Sequence, residues 1–207
     1  RNQDIKVPAN PGGLTFGLTD DGSVAATTVL AENAQWHQPN DICQAPNGDI
    51  YFTDPDWGAR KTSAVYRLDG QGDVTKVVTD MATPNGVLVS IDGRTLYVSD
   101  SYHKWWRAYP IGKDGSIGPG RVFHIAPTAE QRTPDGMTTD AHGNVYFTGG
   151  SGVCVVSAAG KSLGVIPVPQ FVTNVTMGGP KGHTLYLTCR QKVYSLAMRV
   201  AASGPVR

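Results

Sequence analysis

The chain has 207 residues, a formal net charge of +1 at pH 7 and only 17% charged residues. This near-neutral composition gives no electrostatic basis for binding nucleic acid or an anionic membrane. No apolar run approaches the roughly 18–20 residues of a membrane span, and the start, RNQDIKV, lacks the apolar core of a signal peptide. The composition leaves the compartment open between the cytoplasm and the periplasm or export. The 25 glycines and 14 prolines are typical of a turn-rich, all-β protein.

Residues 1–40 are irregular compared with the rest of the chain. PGGLTF, at residues 11–16, looks like the start of the repeat described next, and DDGSVAATTVL, at 20–30, looks like an outer hairpin that ends one. The glycine turn and aromatic strand that should separate them are absent. We therefore expect one domain over residues 1–207 whose N-terminal repeat is incomplete, and a natural molecule with more residues than these.

A repeated unit begins at Asn40 and occurs four times. Each copy opens with Asn or Asp, has a glycine eight positions later, and continues into an apolar strand that contains a tyrosine. The openers are separated by 45, 50 and 39 residues and are Asn40, Asn85, Asp135 and Asn174. Alternating stretches predict about four strands per copy. Repeats of this length and strand number are typical of β-propeller blades.

The sequence therefore predicts an all-β propeller, of which about four blades and a remnant are visible. The innermost strand of each blade runs beside the central channel, so equivalent positions in successive blades converge at one end of it. We expect the four openers, although far apart in sequence, to lie close together there.

The openers are candidate metal ligands. Asn40, Asn85 and Asp135 offer two amide oxygens and a carboxylate, which are hard ligands suited to Ca²⁺, Mg²⁺ or Mn²⁺, while Zn²⁺ or Fe²⁺ with water ligands is also possible. Asn and Asp often form turns instead, but each of these three follows a proline in the same register, which favours a metal site. Asn174 follows Thr173, and we expect it to line the channel.

Several residues at strand ends are candidates for other roles. Trp57, Tyr102 and His103 lie in predicted loops that could line a pocket, with a surface-loop role as the alternative for His103. Asp54 and Asp100 end equivalent strands, and we expect them to hold backbone hydrogen bonds. No Gly-x-Ser-x-Gly motif is present, so the sequence does not support a serine esterase.

Four stretches together resemble a known family. They are QPNDICQAPNGDIYFTDPDWG, TPNGVLVSIDGRTLYVSDS, TPDGMTTDAHGNVYFTGGSGVCVVSAAGKSLGVIPVP and TNVTMGGPKGHTLYLT, within residues 38 to about 190. They are similar to the family of gluconolactonase, senescence marker protein (SMP-30) and luciferin-regenerating enzyme. The resemblance implies a six-bladed β-propeller that opens lactones with a divalent cation, Ca²⁺ first, with Zn²⁺, Mn²⁺, Mg²⁺ or Fe²⁺ as alternatives.

The resemblance also implies roles for individual residues. Asn40, Asn85 and Asp135 match the family's metal-ligand positions. The family's fourth ligand, a glutamate in a Glu-Gly-Pro segment of its first blade, has no counterpart, because Glu32 and Glu130 are the only glutamates and neither lies in such a segment. We expect the fourth ligand to lie outside this sequence, and the alternative is a defective metal site.

The expected reaction is hydrolysis of a sugar lactone. The cation activates the carbonyl as a Lewis acid, water attacks, and Asp135 serves as the catalytic base or orients the water. Trp57, Tyr102, His103 and Asn174 are the expected substrate-binding residues, and the partner is a small lactone. Two alternatives stay open, which are phosphotriester or organofluorophosphate hydrolysis at the same site and a non-catalytic, ligand-binding propeller with a structural cation.

Overall fold

The computed structural model describes residues 29–125, 133–149 and 152–203. Most of the predicted N-terminal remnant, including PGGLTF, lies outside the described residues. The described residues form antiparallel sheets and a short 3₁₀ turn at Pro180–Gly182. Among them there is no helix long and apolar enough to cross a membrane.

The strands group into four sheets in chain order, each an antiparallel meander that we number as a blade. The first blade holds β1 (Ile42–Gln44), β2 (Ile50–Asp54), β3 (Ala64–Leu68) and β4 (Val74–Val78). The second holds β5 (Pro84–Val89), β6 (Thr95–Asp100), β7 (Trp105–Pro110) and β8 (Arg121–Ile125). The third holds β9 (Met137–Thr139), β10 (Val145–Gly149), β11 (Gly152–Val156) and β12 (Ser162–Pro167). The fourth holds β13 (Asn174–Gly178), β14 (Thr184–Cys189) and β15 (Lys192–Ala197).

The glycine eight residues after each opener closes the turn between the first two strands of its blade. Gly48 has φ 94° and donates its N–H to the Ala45 carbonyl at 2.9 Å. The equivalent glycines of the other blades, with φ from 71° to 76°, make the same bond to the residue three positions earlier; they are Gly93, Gly143 and Gly182. A positive φ is easily adopted only by glycine, which explains the invariant spacing of the repeat.

Apolar side chains fill each space between successive blades. Val65 of the first blade packs in one cluster with Leu96 and Val98 of the second. Trp106 of the second blade stacks on Phe147 of the third, with ring centroids 4.2 Å apart. A third cluster joins the last two blades and contains the buried Cys189, whereas the buried Cys154 belongs to the second cluster. All three cysteines are free of disulfides.

The first strands of the four blades lie next to one another along the channel. β5 contacts both β1 and β2, β9 contacts β5, and β13 contacts β9 and β10. This arrangement confirms the predicted all-β propeller, with four blades in the described residues. It also brings the openers of the repeats to one end of the channel.

Candidate metal centre

Each opener lies at the start of the innermost strand of its blade. Asn85 is the second residue of β5 and Asn174 the first of β13, while Asn40 and Asp135 lie two residues before β1 and β9. A hydroxyl side chain of the first blade reaches the second blade at this end: the Thr53 hydroxyl of β2 donates to the Asn85 carbonyl at 2.7 Å. Asn85 is therefore held by a hydrogen bond from the first blade as well as by its own strand.

Asn85 is buried at the seam between the second and third blades, with 8% of its surface exposed. Its side-chain Nδ2 donates to the Ser101 hydroxyl at 3.0 Å and lies 3.5 Å from the Pro134 carbonyl oxygen. Because the amide nitrogen is engaged on this side, the amide oxygen is the atom left to bind a cation.

Asp135 directly follows Pro134 and is half-buried. Its backbone carbonyl accepts a hydrogen bond of 3.0 Å from the Ser99 hydroxyl of the second blade. Burial, and then the negative charge of Asp41, raise the pKa of the Asp135 carboxyl to about 6, against the opposing effect of the Gly136 N–H. Because burial and a nearby negative charge disfavour the ionised carboxylate, a cation bound beside Asp135 would stabilise it.

Asp41 is a residue of this region that the sequence analysis did not single out. Its Oδ2 accepts a 2.9 Å hydrogen bond from the Val87 N–H of the second blade, so the carboxylate reaches across the seam. Burial raises its pKa, although the N–H groups of Val87 and Ile42 oppose this effect. Its position directly after Asn40, in a Pro-Asn-Asp motif, was the available signal.

The other two openers are more exposed than Asn85. The Asn40 backbone N–H donates to the Thr53 carbonyl at 2.9 Å, and no hydrogen bond among the described residues joins its side chain to Asn85 or Asp135. The Asn174 Oδ1 accepts from the N–H of Val175 at 2.7 Å. Asn174 borders the central cavity, as expected of a lining residue.

A cavity of about 470 Å³ lies between the four inner strands. Its walls include residues of every blade, among them Asp41, Cys43, Val87, Met137, Asn174 and Thr176. Burial and then the charge of Asp41 raise the pKa of the Cys43 thiol to about 12, so this cysteine supplies no thiolate at neutral pH. The cavity has the dimensions of a small-molecule site.

The oxygen donors at the channel end fit a hard cation. Asn85 supplies an amide oxygen, Asp135 a carboxylate, and Asp41 a second negative charge nearby. No group of three His, Cys, Asp or Glu side chains in the described part of the chain is arranged to hold a metal by itself. A cation at this end of the channel would need amide oxygens as well as carboxylates, and the ligand set stays a prediction.

The predicted substrate-binding residues Trp57, Tyr102 and His103 lie in loops that leave β2 and β6 at the end where the openers lie. Trp57 is 41% exposed and Tyr102 55% exposed. The Arg60 guanidinium lies 4.4 Å from the centre of the Tyr102 ring, so the two loops contact each other. The His103 ring stacks on Trp105, with centroids 4.6 Å apart.

Asp54 and Asp100 hold backbone hydrogen bonds, as predicted. Asp54 accepts from the N–H of His37 at 2.9 Å and of Gln38 at 2.7 Å. Asp100, with no exposed surface, accepts from the N–H of Ala82 at 2.8 Å. Their carboxylates therefore fix the segments that enter the blades.

Comparison with protein families matches residues 7–191 to the SMP-30/Gluconolactonase/LRE-like region. A pentonolactonase of Haloferax volcanii is 31% identical over 153 residues, which is 72% of this chain and 52% of that protein. A gluconolactonase of Zymomonas mobilis is 26% identical over 212 residues, which is 92% of this chain and 59% of that protein. This chain thus spans about half to three fifths of the length of these relatives.

Solved structures with the same fold agree with this assignment. A gluconolactonase of Xanthomonas campestris superposes with a TM-score of 0.72 at 30% identity, over 86% of this chain and 63% of that one. The solved relatives are six-bladed propellers, of which the residues described for this chain form four blades.

Proposed function

Because the chain belongs to the SMP-30/gluconolactonase/LRE-like family, we propose that it takes part in hydrolysing a sugar lactone with one divalent cation at the channel end. The lactonases among its relatives support this reaction class. The substrate would be a small lactone such as an aldonolactone.

One observation carries the proposal: two carboxylates lie close together at the channel end without a cationic partner. Burial is the larger cause of the raised pKa of Asp135, and Asp41 lies near enough for its negative charge to raise that pKa as well. Other acidic residues of the described chain do form ion pairs, such as Asp49 with Arg67 at 2.6 Å. No such pair involves Asp41 or Asp135 among the described residues. A divalent cation would balance both charges.

The residues proposed to hold the cation are Asn40, Asn85 and Asp135, through amide and carboxylate oxygens. Calcium is the first candidate because all of these ligands are hard oxygens, with Zn²⁺, Mn²⁺, Mg²⁺ and Fe²⁺ to be tested beside it. When bound, the cation supplies Lewis-acid polarisation of the lactone carbonyl and balances the negative charge that develops on its oxygen.

The chain itself would orient the reactants. Asp135 is proposed to orient the attacking water and accept its proton as the oxygen–carbon bond forms. The acyl–oxygen bond of the ring then breaks, and the proton is passed to the departing ring oxygen. Trp57, Tyr102, His103 and Asn174 are proposed to bind the sugar at the cavity and its rim.

The test is hydrolysis of glucono-1,5-lactone by the purified protein, measured in a pH-stat above the spontaneous rate. We expect a rate that disappears with a chelator and returns with Ca²⁺ or another of the five cations. Asp135→Asn and Asn85→Ala should lower kcat/KM by about 100-fold or more, because each removes a ligand and Asp135→Asn also removes the proposed base.

Asp73→Asn is the matched control, because Asp73 is an exposed carboxylate in the β3–β4 turn. It should retain the rate of the unmodified protein. A protein that opens no lactone with any of the cations would contradict the proposal. Phosphotriester hydrolysis under the same conditions would favour the alternative reaction, and binding without turnover would favour a ligand-binding propeller.

A further inference from the structure

Two buried serines of the second blade bind the start of the third blade. Ser99, with no exposed surface, accepts from the Gly86 N–H at 2.8 Å and donates to the Asp135 carbonyl at 3.0 Å. Ser101, 8% exposed, donates to the Pro134 carbonyl at 2.7 Å. Both hydroxyls therefore lie where the chain beside Asn85 meets the chain at Asp135, the two residues proposed to bind the cation.

Ser101 differs from Ser99 because it also contacts a ligand side chain. Its Oγ accepts a 3.0 Å hydrogen bond from the Asn85 Nδ2. The single hydroxyl hydrogen of Ser101 is already donated to Pro134, so the oxygen has only acceptor capacity left. The NH₂ group of Asn85 can satisfy it, whereas the amide oxygen cannot.

The same reasoning applies to the second neighbour of the Asn85 amide. The Pro134 carbonyl, 3.5 Å from Nδ2, is also an acceptor. A rotation of the amide by 180° would place Oδ1 against two acceptor oxygens at a buried seam, which is unfavourable. The pair of acceptors therefore selects one orientation, in which the Asn85 oxygen is left for another partner.

We propose that Ser101 is a positioning residue that fixes the Asn85 amide with its oxygen available to the cation. Ser101 also couples Asn85 to Pro134, the residue before Asp135, and so holds the two proposed ligands in one arrangement. This inference rests on the proposed function for the identity of the bound group. The orientation of the amide, however, is a property of the cation-free protein.

The sequence supports a role specific to this seam. Ser101 directly follows Asp100, and the residue that follows the equivalent Asp54 in the first blade is Pro55, which has no hydroxyl. The backbone hydrogen bond of the seam recurs, because Thr53 binds the Asn85 carbonyl as Ser99 binds that of Asp135. The additional hydroxyl is present where the blades carrying Asn85 and Asp135 meet.

The test compares Ser101→Ala with Ser63→Ala by calcium titration of cation-free protein in a calorimeter. Ser63 is a matched control because it is also buried, at 4% exposure, and its hydroxyl donates to the Ala82 carbonyl at 2.7 Å without a hydrogen bond to Asn85, Pro134 or Asp135. We expect Ser101→Ala to weaken calcium binding by about 10–100-fold, as loss of a ligand's supporting partner does. Ser63→Ala should change the affinity by less than about threefold, well below that range. Ser101→Thr, which keeps the hydroxyl, should restore most of the affinity.

A second measurement reads the amide directly. In the ¹⁵N-labelled, cation-free protein, the Asn85 NH₂ should give a pair of slowly exchanging signals that Ser101→Ala removes and Ser101→Thr retains. Calcium binding by Ser101→Ala equal to that of the unmodified protein would overturn the proposal, as would an equal loss in Ser63→Ala. If the unmodified protein binds no cation, the proposed function fails. Unchanged Asn85 NH₂ signals in cation-free Ser101→Ala would overturn the positioning role, whatever the result for the proposed function. Should Ser101→Ala not fold, Ser101→Cys, which has a weaker acceptor, takes its place.

Discussion

Replacing Gly86 with alanine would test how closely the second and third blades approach at the proposed cation site. A Cβ built on Gly86 lies closer than 3.0 Å to both the carbonyl oxygen and the carbonyl carbon of Asp135. Backbone atoms cannot rotate away as a side chain can, so the two strands would have to separate. Overpacking of this kind costs about 1–3 kcal/mol of unfolding free energy, and we expect the upper half of that range.

The assay is thermal and urea unfolding of three glycine variants under the same conditions. A cost of about 2–3 kcal/mol corresponds to a fall in Tm of roughly 4–12 °C for a chain of this size. Gly136→Ala should cost less, because the atoms that its Cβ meets belong to the exposed side chain of Asn174, which can move. Gly70→Ala is the control, because nothing lies within 4 Å of its Cβ, and it should stay within about 0.5 kcal/mol.

The expected order of destabilisation is therefore Gly86→Ala, then Gly136→Ala, then Gly70→Ala. Gly86→Ala should also weaken calcium binding, since it separates Asn85 from Asp135. A Gly86→Ala protein as stable as Gly70→Ala would refute the close approach of the backbones. A destabilised Gly86→Ala protein with unchanged calcium affinity would show that the packing is right and that the cation binds elsewhere.

Two further predictions concern buried carboxylates. Burial and Asp41 raise the pKa of Asp135 to about 6, so calcium affinity measured from pH 7.5 to 5 should fall as that carboxyl takes up a proton. In the cation-free protein the folded pKa of Asp135 lies above its ordinary value of 3.8, so the protonated carboxyl stabilises the fold at low pH and this contribution is lost as the pH rises towards about 6. Asp135→Asn should abolish both the pH dependence of calcium affinity and this pH dependence of stability. Asp100→Ala should cost at least about 2 kcal/mol in urea unfolding, because it leaves the partly buried N–H groups of Ala82 and His103 without their acceptor. Asp73→Ala, at an exposed turn, should have little effect, and an equal loss in both would contradict this reasoning.

The fold could be predicted because the repeat is encoded locally. A glycine eight residues after each opener is required by a turn with positive φ, as at Gly48 and Gly93. The strands that flank each turn show alternating apolar residues, whose burial follows from the pleat of the sheet. Both signals lie within about fifteen residues of chain, so no long-range information was needed.

The candidate site could be predicted only in part. The shared register of the openers predicted that they converge at one end of the channel, and the Asn85 side chain lies 3.5 Å from the carbonyl of Pro134, the residue before Asp135. Asp41 was missed, since its reach to the Val87 N–H depends on how the first and second blades pack. The role of Ser101 was missed for the same reason, because its partner Pro134 is 33 residues away in sequence.

Sequence alone was thus sufficient for the blades and the turns, which follow from local backbone preferences, and its regular spacing nominated the candidate ligands, which stay a prediction. Only the packing of the blades decided which polar atoms meet across a seam, how deeply each is buried and which way the Asn85 amide points. These properties depend on distances between residues far apart in the chain, and a shift of one ångström between two blades changes a hydrogen bond without changing any local pattern.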